Sequence, residues 1–122
     1  MNLEPTGIEN AGEIDRERIV MRASADIDVA YFAVFSPGRN AQGKLLAGTV
    51  KDVYWFPPKK VKSGDWVVLY TKVGPTSEKV TENGPTSHFF YWGKLKPMWG
   101  SGAIPVLVET PTWKNVPTVT AK

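Results

Sequence analysis

Apolar residues in this chain gather in short runs, and none of the runs has helical spacing. Residues 29–35 (VAYFAVF) are apolar at every position, as in a strand covered on both faces or lying mid-sheet. Residues 66–72 (WVVLYTK) make the clearest strand, entered through the turn-forming Lys62-Ser63-Gly64-Asp65. Residues 50–56 (VKDVYWF) mix aromatic and β-branched positions and stop at Pro57 and Pro58, which supply no ladder donor. Shorter strands are predicted over 17–23 (ERIVMRA) and 88–92 (HFFYW). Residues 103–109 (AIPVLVE) alternate, with Ile104, Val106 and Val108 on one face, and Pro105 marks an edge strand or a strand start. The intervening 24–28, 36–48 and 74–87 carry turn formers and read as loops. Six to eight short strands at fairly regular spacing predict an all-β sandwich or barrel.

The same pattern divides the chain. Residues 1–16 are interrupted by Pro5, Gly7 and Gly12, hold few apolar anchors, and read as a flexible acidic leader. Residues 17–117 are expected to form a single β-sandwich domain and 118–122 a disordered tail. The expected core comprises Ile19, Met21, Val29, Tyr31, Phe35, Val53, Trp55, Val68, Tyr70, Phe90, Val106 and Val108.

At 122 residues there is room for one ordinary domain. With no Cys and a single His, disulfide scaffolds, Cys-ligated metals, thiol nucleophiles and His-rich metal sites are all excluded. The net charge of +3 is uneven: up to Arg18, five acids face two bases, and the rest of the chain is basic. The N-terminal segment has no apolar signal-peptide core, and no stretch is long and apolar enough to span a bilayer. The expected location is therefore cytoplasmic or virion-associated.

Little chemistry is legible. Residues 38–44 (GRNAQGK) follow a strand and match the first seven positions of a phosphate-binding loop. Leu45 stands where the magnesium-holding hydroxyl belongs, and Gly48 interrupts any helix that would aim amides at a phosphate. The segment reads as a solvated β-loop. His88 needs an orienting carboxylate and a nucleophile to be catalytic; Asp52 and Asp65 exist, but no nucleophile pattern does, so His88 reads as structural or surface. Asp26 and Asp28 are too few oxygens for calcium. Neither a cofactor nor a metal is expected. Lys59, Lys60 and Lys62 beside Trp55 and Phe56, with Lys94 and Lys96, offer a cationic track for nucleic acid or another polyanion. Trp99 and Trp113, in Gly- and Pro-rich surroundings, are candidate platforms for a sugar ring or peptide.

The stretch Tyr54-Trp55-Phe56-Pro57-Pro58-Lys59, followed by Val61-Lys62-Ser63-Gly64-Asp65 and the strand from Trp66 to Tyr70, resembles the nuclear lamin tail domain. Trp99-Gly100 ahead of the strand at 103–108 resembles a second passage of that family. Without heptads or an attached enzyme, the chain is most similar to a free-standing bacterial or phage-type version. The resemblance implies an immunoglobulin-like β-sandwich of six to nine short strands that lacks catalytic residues. The expected function is non-enzymatic: docking of a protein partner through loops or a sheet edge. The alternatives are polyanion binding through residues 59–62 and carbohydrate binding through exposed Trp.

Overall fold

A computed structural model describes residues 1–39, 42, 45–100 and 103–119. These residues form ten strands in three sheets, with no α-helix among them, and their core is sandwich-like. The chain runs through β1 (Leu3–Glu9), β2 (Arg18–Ala23), β3 (Ile27–Asp28), a 3-10 turn (Val29–Tyr31), β4 (Phe32–Arg39) and β5 (Leu45–Trp55). It continues through β6 (Lys60–Val61), β7 (Trp66–Tyr70), β8 (Ser77–Lys79), β9 (Ser87–Tyr91) and β10 (Val106–Glu109).

The larger sheet has the order β1-β2-β7-β9-β8. Its neighbours are antiparallel except β7 and β9, which run parallel, from Trp66 opposite Ser87 to Tyr70 opposite Tyr91. The smaller sheet has the order β10-β4-β5, and β3 with β6 makes a two-stranded ribbon. Alternation assigns the faces. Ile19, Met21, Val67, Leu69 and Phe90 point inward from the first sheet and meet Phe32, Val34 and Phe56 from the second sheet and its end. Leu3, Val29, Val61 and Trp99 complete the buried cluster.

Local chemistry sets the turns. Between β6 and β7, the Asp65 amide donates to the Lys62 carbonyl, closing a turn with Gly64 at its third position. Gly64 has φ +91°, the left-handed region that a type II turn requires there and that glycine adopts without a Cβ penalty. In β4, Pro37 lies beyond the reach of β10 and within register irregularities against β5, where a missing donor disturbs the ladder least.

Five expectations are corrected. The leader predicted over 1–16 contains β1, whose Leu3 is fully buried. Pro5 is tolerated because β1 lies at a sheet edge, and the register shift between Pro5 and Gly7 is a bulge rather than an end of pairing. The loop predicted over 36–48 is strand at both ends, and Leu45 opens β5 instead of a helix; Asn40, Ala41, Gly43 and Lys44 of the phosphate-loop match lie outside the described residues. The loop predicted over 24–28 contains β3, which pairs with β6, and the loop predicted over 74–87 contains β8. The core has the opposite phase in the smaller sheet: Tyr31, Val53 and Trp55 are exposed and Phe35, Val106 and Val108 half-buried, while Phe32, Val34 and Phe56 are buried. Of the expected core, Ile19, Met21, Val29, Val68 and Phe90 are buried, and Tyr70 is half-buried. Ser101 and Gly102 of the expected bend, and 120–122 of the expected tail, lie outside the described residues.

Candidate functional site

Acids lie beside the lysines at 59–62, and Lys59 forms an ion pair with one of them. In the β3–β6 ribbon Lys60 sits opposite Asp28, and Lys59 Nζ lies 2.9 Å from the Glu78 carboxylate. Asp28 Oδ1 also accepts the backbone N–H groups of Ala30 and Lys59, and Asp26 Oδ1 accepts that of Ser63. A shallow cavity of about 400 Å³ against the ribbon is lined by Asp26 and Asp28 as well as Lys60 and Lys62. The ribbon is therefore zwitterionic, not a cationic track. Lys94 pairs with Asp52. Burial alone would raise the Asp52 pKa, but Lys94 and the Val53 amide hold it below the usual carboxylate value. Lys96 is exposed.

The two candidate tryptophans part company. Trp99 is only 4% exposed and packs on Trp92 with ring centroids 5.9 Å apart, so it is core and not a platform. Trp113 is 46% exposed and sits over the outward side of the smaller sheet. Its ring is 5.4 Å from Tyr31 and 5.0 Å, edge-on, from Trp55. Trp55 is fixed by an indole N–H donated to the Ala30 carbonyl at 2.7 Å, and the Thr110 amide and hydroxyl both donate to the Tyr31 carbonyl, tethering the segment that carries Trp113. Two shallow hollows of about 240 and 250 Å³ flank Trp113. Among the described residues their walls include Tyr31, Phe35, Val53, Trp55 and the threonines at 110 and 112, with no charged side chain. Tyr31, Val53 and Trp55, which the sequence pattern assigns to the core, instead form this outward face.

His88 has the orienting carboxylate that the sequence left open. Its Nε2 lies 2.9 Å from Asp65 Oδ2, and both side chains are nearly enclosed. Burial would push the Asp65 carboxyl up; the His88 contact and the Lys62 and Thr86 amides hold it below the usual value instead. No hydrogen-bond partner faces His88 Nδ1 among the described residues. The pair fixes the turn that feeds β7 to the start of β9.

A second buried carboxylate had no sequence signal. Glu17 is fully enclosed and accepts the backbone N–H groups of Gly12, Met98 and Trp99 and the Thr71 hydroxyl. Desolvation pushes its carboxyl up, yet the four donors together hold it below the usual range. Glu17 thus fastens the segment after β1, the end of β7 and the 98–99 segment to one point.

No family model, curated protein or solved structure matches this chain. No helix among the described residues is long and apolar enough to cross a membrane.

Proposed function

We propose that the chain is a non-enzymatic docking module on an immunoglobulin-like, lamin-tail-like sandwich, and that a protein partner binds the outward face of the β10-β4-β5 sheet. The observation that carries this is the exposed, uncharged group of Tyr31, Val53, Trp55 and Trp113, partly accessible among the described residues on the outward side of that sheet. Partly exposed Trp and Tyr held in fixed orientations are the residues on which binding energy concentrates at protein interfaces. Here the Trp55 indole bond and the two Thr110 bonds supply that fixity. The contact then lies on a sheet face rather than on loops or a sheet edge. The zwitterionic ribbon gives the polyanion alternative little support, and burial of Trp99 removes half of the carbohydrate alternative.

The test is a photo-crosslinking residue at position 53 of the full chain, compared with one at position 60, in the native host. A discrete protein adduct at 53 that is absent at 60, and lost on Trp113→Ala, is expected. Equal adducts at both positions, or none at 53, would reject the assignment.

A further inference from the structure

The outward face of the five-stranded sheet has a different chemistry. Register places three rows of side chains there. One row runs Glu9, Arg18, Tyr70, Tyr91; the next passes Val20, Val68 and Phe89; the third runs Glu4, Arg22, Trp66, Ser87, Lys79. Cations lie on the rings: Arg22 Cζ is 4.7 Å from the Trp66 centroid, and Arg18 Cζ and Lys72 Nζ are 5.7 and 5.2 Å from that of Tyr70. Tyr70 stacks on Tyr91 at 5.3 Å with an 11° interplanar angle and leans on Phe89 at 6.3 Å. The aromatic side chains are half-buried, so part of each remains accessible.

We propose that this face binds single-stranded nucleic acid, its phosphates held by Arg18, Arg22, Lys72 and Lys79 and its bases laid against Trp66 and Phe89. Every base has a π-face, and aromatic rings or guanidinium planes on a sheet accept it without regard to sequence. Arg22, already parked over Trp66 and donating a 3.3 Å bond to the Gly64 carbonyl, presents such a plane. Charge complementarity sets the course of the strand. Glu4 and Glu9 on edge strand β1 repel phosphate, and Glu9 partly neutralises Arg18 through a 3.0 Å bridge, so the track runs from β2 across β7 and β9 to Lys79 on β8. The basic site thus lies away from the 59–62 lysines, whose charge the ribbon acids offset.

The probe is a fluorescein-labelled thymidine decamer, titrated with the full chain by anisotropy across a salt series. Saturable binding at low salt is expected, with a log–log salt slope of about −2 to −3 for three to four phosphate contacts. The exposed Arg22→Gln should make that slope shallower by about 0.7. Phe89→Leu, which keeps the packing volume, should weaken binding about fivefold or more, and an abasic decamer should bind the native chain correspondingly worse. Circular dichroism identifies any variant that fails to fold, and Lys79→Gln, at an exposed edge, is then the substitute. The proposal is overturned by absence of saturable binding, by equal affinity for the thymidine and abasic decamers, or by equal affinity for a duplex of the same length. It is overturned too if Lys60→Ala abolishes binding while Arg22→Gln leaves it intact.

Discussion

The Thr71 hydroxyl donates to the Glu17 carboxylate inside the protein, joining the end of β7 to the segment that precedes β2. Because Glu17 also satisfies three backbone amides, its removal leaves four donors without their acceptor. Glu17→Ala is expected to cost about 3 kcal/mol or more, since each stranded buried donor costs about 1–3 kcal/mol. Glu17→Gln, which keeps one acceptor oxygen, should cost less. Urea unfolding of the three proteins checks the order.

Acid should weaken the fold through Glu17 and Asp65. Both carboxyls are held below their unfolded values, near 4.5 and 3.8. Such groups contribute their full stabilisation above the unfolded pKa and lose it as pH falls through the lower folded one. Stability should therefore be level above about pH 5 and fall below about pH 4. Glu17→Gln should flatten part of that fall. An acid profile of Glu17→Gln as steep as the native one would contradict the assignment of Glu17. The exposed Glu78 should add little.

Trp99 and Trp113 should separate cleanly. Trp99→Ala empties a core position and is expected to cost about 3–5 kcal/mol. Trp113→Ala should cost about 1 kcal/mol, the scale of its ring contacts. Acrylamide should quench Trp113 and Trp55 and spare Trp99, which single-tryptophan variants would show.

Leu3→Ala should destabilise the protein by about 2–4 kcal/mol, as truncation of a fully buried leucine does. A change within about 0.5 kcal/mol, the scale of a surface site, would mean that β1 does not hold to β2 in solution.

The sequence made the strands legible wherever apolar, β-branched runs end in Pro or Gly, as at 66–72 and 50–56. It did not reveal their phase in the smaller sheet. Residues 29–35 are apolar throughout, so period-two alternation has no contrast from which to choose a face. The outcome was decided by long-range partners: Val34 lies between Leu107 and Tyr54, and that row turns inward. The same phase turns Val53 and Trp55 outward and creates the aromatic patch beneath Trp113. Strand β1 was missed because Pro5 and Gly7 are breakers in a central strand but acceptable at an edge with a bulge. Glu17 was illegible for another reason: its donors come from residues 12, 71, 98 and 99, and nothing local announces them.

The parallel pairing of β7 with β9 has a kinetic consequence. No tight hairpin can join two strands that point the same way, so the chain must first make the excursion through residues 71–86 and come back to the same end. Met21 must likewise find Val67, and Phe35 must find Val106, across long stretches of chain. Such distant closures lose chain entropy before any burial compensates, which puts folding in the slow, high-contact-order class, on the order of milliseconds to seconds. Strand β8, three exposed residues held at one side, is then among the last parts to settle and the first to open.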